Sequence, residues 1–153
     1  MLLPLTDGLM KTTHFDDECR QLADRHYSRR TVGARQFAYS GRKLVLRDVG
    51  GLALFVWMFP DPAMRMDGQV GYNNAIFRNE SQRRSSEIIL EAEWHAVAKW
   101  GPNRAYTYID PAKIRSVNPG YCFKQAGWRN VRRPDGTLYV SGGGKHLLEK
   151  DLL

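Results

Sequence analysis

The sequence predicts an α/β domain in which helices cross over a mixed sheet, and three observations predict it. Strand-like runs and helical patterns alternate through the second half of the chain, an order that implies helices packed across strands. The run Leu52–Phe59 is apolar on both faces, as a central strand of a covered sheet is. The segment Ser85–Trp100 carries apolar residues at helical spacing and stops at Gly101-Pro102. With 153 residues the chain is expected to form one domain, 1–153, with a real core.

The elements follow in order. Thr13 and Asp16 read as a capping pair for a helix from about Phe15 to Tyr27, with Phe15, Cys19, Leu22, Ala23 and His26 on one face. Arg35–Tyr39, Lys43–Asp48 and Leu52–Phe59 read as strands, punctuated by Ser40-Gly41 and Gly50-Gly51 and ended by Pro60-Asp61-Pro62. Gln69–Phe77 reads as a further strand. In the long helix Ser85–Trp100, Ser85, Ile88, Ile89, Ala92, Ala96 and Trp100 share one face, and Leu90, Trp94 and Val97 another, so both faces are expected to be covered. Ala105–Ile109 is a short strand, Asn118–Ala126 a short helix, and Trp128–Val131 and Leu138–Val140 strands joined at the turn Pro134-Asp135-Gly136. The tail Lys145–Leu153 reads as a final helical turn.

Composition bounds the function. Hydrophobic residues at 42% and charged residues at 25% place the chain with folded proteins and exclude wholesale disorder. The longest apolar run falls far short of the ~20 residues of a membrane-spanning helix, and the N-terminus lacks the basic start and apolar stretch of a signal peptide. Cys19 and Cys122 form no C-x-x-C pattern, which suggests a reducing, intracellular setting, with Cys19 a buried thiol. A net charge of +7 favours anionic partners such as nucleic acid or a nucleotide cofactor.

The element order, together with Asn118-Pro119-Gly120-Tyr121-Cys122-Phe123-Lys124-Gln125-Ala126-Gly127-Trp128, resembles the GNAT acyltransferase fold: an Asn, a short helix carrying a Tyr, then a Gly-aromatic pair opening a strand. The resemblance implies a GNAT-like mixed, mostly antiparallel twisted sheet flanked by helices. Adding His26-Tyr27-Ser28, the run Asn79–Ser86 and Asp110-Pro111, the stretch from Asp24 to Trp128 is similar to the Mom family of phage DNA-modification proteins. That resemblance implies a cytoplasmic phage enzyme that adds an acyl-type or carbamoylmethyl-type group to the N6 amine of adenine in double-stranded DNA, protecting it from restriction. It implies no membrane partner. It leaves room for a homodimer and for a metal ion such as iron, neither of which the residues specify.

Such an enzyme must hold a thioester donor, deprotonate a weakly nucleophilic amine and protonate a leaving thiolate. On the family match Tyr121 is the acid or an orienting group; on residues alone it is equally a core tyrosine. Asp110, at a strand end, holds or deprotonates the amine, or else caps a turn. His26 and Tyr27 end the first helix, where a base or metal ligand and a dipole-stabilised histidine are both consistent. Ser86 completes the family-implied catalytic set. No H-x-x-x-H or Cys/His cluster announces zinc.

The start of the long helix favours an anion, so Arg78, Arg83, Arg84 and Ser85 are the expected contacts to acetyl-CoA or a related acyl-CoA, with Ser85 also a plain N-cap. The stretch Arg78–Arg84 lacks the glycines of the family's pyrophosphate loop, which puts that donor in question. Ser141-Gly142-Gly143-Gly144-Lys145 is a turn rather than a phosphate loop, because His146 stands where Ser or Thr is required. Arg29, Arg30, Arg129, Arg132 and Arg133 are the expected grips on DNA phosphates beside a flipped base, or else solvated charge. Three readings follow: a DNA adenine-modifying transferase, a GNAT N-acetyltransferase acting with acetyl-CoA on a small-molecule or protein amine, and a non-catalytic nucleic-acid-binding module.

Overall fold

The computed structural model describes residues 8–29, 31–34, 36–38, 41–61, 67–114 and 118–153. Among these residues seven strands and three helices run in the order β1 (Met10–Thr12), α1 (Asp17–Asp24), β2 (Lys43–Arg47), β3 (Ala53–Met58), β4 (Tyr72–Asn79), α2 (Ser85–Trp100), β5 (Asn103–Ile109), α3 (Tyr121–Gln125), β6 (Arg129–Asn130) and β7 (His146–Leu152). The strands form one sheet, β1-β2-β3-β4-β5-β7-β6. Every pairing is antiparallel except β4 with β5, the pair that α2 connects. The predicted class, a mixed and mostly antiparallel sheet flanked by helices, is the one observed.

The two faces have separate cores. On one, α2 and α3 cover Phe55, Trp57, Tyr72, Ala105 and Leu148, with Ile88, Ile89, Ala92 and Phe123 supplied by the helices. On the other, Cys19, Leu22 and Ala23 of α1 cover Val45, Leu54, Val56 and Ile76. Burying each large side chain contributes roughly 2–3 kcal/mol. Two buried indoles are matched: Trp57 Nε1 donates to the Ala92 carbonyl at 2.8 Å and Trp128 Nε1 to Glu93 at 3.1 Å. Gly71 brings β4 against β5. Its φ of 122° suits glycine, and a Cβ there would lie 2.0 Å from the Arg104 carbonyl oxygen.

Local signals explain the elements that match. Asp16 caps α1 by accepting from the Cys19 amide, and Cys19 is fully buried. α2 has the predicted bounds and ends at Gly101, and Gly127 turns the chain after α3 with φ of 95°.

Other expectations are corrected. α1 is two residues shorter at its start and three at its end, and Phe15 is exposed. The second apolar face of α2 is covered only at Val97, which packs against the core: Leu90 and Trp94 are exposed, while Glu91 and Glu93 are buried in their own polar pairings. Arg84, not Ser85, is the N-cap. Gln36–Ala38 is not a strand, and the remaining residues of that expected strand, Arg35 and Tyr39, lie outside the described residues, as do Ser40 and Pro62. Leu138 and Val140 form isolated bridges rather than a strand. The tail is strand β7, not a helical turn, because His146–Leu152 pairs residue for residue with β5 and also with β6. β1, paired with β2, carries no strand signal in the sequence. Among the described residues no helix is long and apolar enough to cross a membrane.

Candidate active site

β4 and β5 pair only from Tyr72↔Ala105 to Asn74↔Thr107, and then separate. The cause is a bulge. Val56 of β3 faces Ile76 and Trp57 faces Asn74, so Ala75 is an extra residue with no partner on β3. Ala75 and Ile76 both pack toward α1, whereas Phe77 packs toward α3. Asn74, buried, braces the apex: its Nδ2 donates to the carbonyls of Val56 and Ile76, and it accepts from the Thr107 hydroxyl at 3.1 Å. The result is a fork in the sheet, occupied by a cleft of about 600 Å³ that reaches from the α1 face, at Ala23 and Phe37, to the α3 face, at Ile109 and Phe123.

His26, Tyr27 and Tyr121 line this cleft together, as does Arg29. Tyr27 lies beside Asp110; burial raises its phenol above the ordinary value, with the backbone of Asp110 opposing that rise and the Asp110 charge adding to it. The Asp110 carboxylate itself accepts from the Ala112 amide and closes a turn after β5. Tyr121 is half exposed at the start of α3, and its hydroxyl accepts from Gln125 at 2.8 Å, leaving its own proton to be donated. Cys122 also lines the cleft, and burial raises its thiol above the ordinary range, so it stays protonated and a poor nucleophile.

Burial, then Arg78 and Lys145, lowers His26 from 6.5 to about 4. Among the described lining residues there is no Asp or Glu, and Lys145 is a cation at the wall.

The residues read as a phosphate site are placed elsewhere. Arg78, Arg83, Arg84, Ser85 and Ser86 are not among the described lining residues. Ser86 is buried on α2, and Arg83 pairs with Glu91 at 2.8 Å. The loop before α2 is braced by Asn79, whose side chain accepts from Ser81 and donates to the Arg83 carbonyl and the Ser85 hydroxyl. It contains no residue of positive φ, so it forms no concave nest of the αR-αL kind. The amides of Ser85 and Ser86 open the first turn of α2, and Arg84 stands exposed beside them.

Of the arginines read as phosphate grips, Arg29 is buried against Asp24 at 2.8 Å. Arg129, Arg132 and Arg133 sit on the surface around β6 and the hairpin after it. Arg30 lies outside the described residues. Among the described residues no three His, Cys, Asp or Glu gather as a metal site.

Sequence reading missed Asn73, Asn74 and Thr107. A doubled Asn inside a strand is the signal that was there, since Asn is rare in strand interiors unless its amide has work to do.

This architecture is shared with solved structures. An aminoglycoside 6'-acetyltransferase type Ii superposes with a TM-score of 0.63 at 10% identity, over 95% of this chain and 97% of that one. A protein assigned to the GnaT acetyltransferase family from Bordetella pertussis superposes at 0.55 with 17% identity, over 98% of this chain and 99% of that one. At these identities the likeness is one of fold: the chain has the fold of GNAT acetyltransferases. No family model and no curated protein matches the sequence.

Proposed function

We propose that the protein transfers an acyl group from a thioester such as acetyl-CoA to an amine within the β4–β5 fork. The observation that carries this is the fork itself, with the Tyr121 hydroxyl on its wall. Beyond Asn74 the β4 backbone has no β5 partner, so it can pair with the amides of an extended thioester arm, as an added strand would. The phosphates of the donor fit less well, since the loop before α2 lacks a nest. Arg84 and the first amides of α2 are what remains for them. Tyr121 gives its proton to the departing thiolate. Cys122, held as a thiol, takes no covalent part, so the amine attacks the thioester directly.

A narrower reading places the amine on adenine N6 in DNA. Aminoglycosides are polycations, and a site for one calls for carboxylates. The described lining residues have none and offer Lys145, the stacked His26–Tyr27 pair and an exposed Tyr121 instead. A base turned out of a duplex suits aromatic walls and flanking cations.

Acetyl-CoA should raise the melting temperature and, with an acceptor amine, release thiol. Tyr121→Phe should lower kcat by roughly 100-fold. Mass spectrometry of nucleosides from cells expressing the protein should show an adenine adduct that Tyr121→Phe and Asp110→Ala abolish. Unmodified DNA with thiol release on another amine would leave the acyl transfer and remove the nucleic-acid acceptor.

A further inference from the structure

The turn that follows α1 lines the fork, tied by hydrogen bonds to the β4 side and lying beside the end of β5. On the β4 side, Arg25 makes two bonds to Glu80, at 2.7 and 3.0 Å, and Arg78 pairs with the same carboxylate and donates to the Arg25 carbonyl. On the β5 side, Tyr27 lies beside the backbone of Asp110. His26 sits between the two, on the cleft wall, stacked on Tyr27 with ring centroids 4.4 Å apart.

Its tautomer follows from its neighbours. The Ser28 amide donates to Nδ1 at 3.1 Å, and the Ser28 hydroxyl lies 2.7 Å from the same nitrogen. An amide N–H only donates, so Nδ1 carries the lone pair and the neutral ring carries its proton on Nε2. Arg78 from β4 and Lys145 from the hairpin before β7 face the ring, and both oppose a positive charge on it. A general base or a metal ligand must turn a lone pair toward its partner. The lone pair of His26 is already taken by Ser28.

We infer that His26 presents its Nε2–H to the carbonyl oxygen of the acyl group and acts as a hydrogen-bond donor, not as a base or a ligand. This rests on the acyl-transfer reading. The amine nitrogen bonds to the carbonyl carbon while the π pair moves to oxygen, where the Nε2–H holds it. The pair returns as the C–S bond breaks. The thiolate takes the Tyr121 proton, and the proton lost by nitrogen passes to water, which restores Tyr121. A donor already placed where negative charge develops needs no reorganisation during reaction, and removing one such donor costs about 100- to 1,000-fold in kcat.

Long-range proton–nitrogen NMR of the imidazoles in the full chain tests this, with His26 identified by its absence in His26→Gln. The expected result is a proton on Nε2, no titration between about pH 8 and about pH 5.5, and a shift of the Nε2 resonance on adding acetyl-CoA. A proton on Nδ1, a midpoint near 6.5, or no shift with acetyl-CoA bound would overturn the inference. In kinetics, His26→Ala should lose roughly 100-fold or more in kcat with the donor KM unchanged. His26→Gln, whose amide reaches the Nε2 position, should recover at least about 10-fold of that. Equal losses in the two variants would also overturn it. Failure of the underlying reading looks different: acetyl-CoA raises no melting temperature and moves no resonance while His26 keeps its tautomer, and the donor role then falls with it.

Discussion

Two arginine clusters that look alike in the sequence do opposite things in the molecule. Around α1, Arg29 is only 9% exposed, pairs with Asp24 at 2.8 Å and donates to the carbonyls of Ala34 and Gln36. Arg25 is bound to Glu80. Around β6, Arg129 is 61% exposed, and its contacts to Glu149 and Asp151 stretch to 3.5 and 3.7 Å. Arg132 and Arg133 donate to backbone carbonyls of their own hairpin, and Arg133 lies over the Tyr139 ring, with no carboxylate among these contacts. The first cluster is structural, bracing the wall of the cleft. The second holds charge at the surface, where a polyanion could meet it. A basic cluster predicts an anionic partner only after the arginines already matched by carboxylates are set aside.

Breaking the first cluster should have the largest effect. Arg29→Ala removes one of the two arginines on Asp24, leaving Arg20, and also the donors to the Ala34 and Gln36 carbonyls, so the free energy of unfolding in urea should fall by about 2–3 kcal/mol. Arg29→Lys should fall between, because an ammonium cannot reach Asp24 and two carbonyls as the guanidinium fork does. A change below about 1 kcal/mol would place Arg29 with the surface group. Arg47 extends the structural set: it is 6% exposed and pairs with Asp16. Burial pushes the Asp16 carboxyl up, but the Cys19 amide, the Thr12 hydroxyl and Arg47 together outweigh it and hold it at about 2. A depressed carboxylate stabilises the fold in full above its ordinary value of 3.8 and loses that stabilisation as pH falls through 2. About 2 kcal/mol should disappear across this window. Asp16→Asn should flatten that part of the stability–pH curve.

A smaller effect concerns Lys145. If it presses on His26 as an unmatched cation, Lys145→Gln should raise the His26 midpoint, read by NMR, without changing its tautomer. His26 itself is depressed, so its share of stability is complete above 6.5 and declines as pH falls toward 4. The smallest effect on folding belongs to the second cluster. Joint replacement of Arg129, Arg132 and Arg133 by Gln should move stability by no more than about 0.5 kcal/mol. If these residues meet duplex DNA, the slope of log affinity against log salt should become shallower by about three. An unchanged slope would leave the surface arginines as solvated charge.

How much of this was legible depends on where the deciding forces act. α2 was readable to the residue because its propensity, its capping glycine and its buried stripe all agree. β7 was not, since His-Leu-Leu-Glu-Lys-Asp-Leu suits a helix in isolation and becomes a strand only by pairing with β5. The second face of α2 failed because apolar residues at helical spacing do not say whether anything lies opposite them. Tyr121, His26 and Tyr27 were nameable only through the resemblance to a family, and the fold brings them to one cleft. The fork could not be read. It is made by a register mismatch between β3 and β4, a relation between two segments rather than a property of either.

That mismatch makes the width of the opening a quantised variable. Strand register changes only by whole residues, and each step turns the following side chains to the opposite face. Loss of Ala75 would not narrow the cleft by degrees. It would set the chain from Ile76 to Asn79 into regular alternation after Asn74, with Ile76 still on the α1 face where it is buried. The doorway therefore depends on one extra residue, while the faces of the core on either side of it do not. Substitutions can reshape the walls of this site for a larger or smaller acyl group, but the gap between its strands is either present or absent.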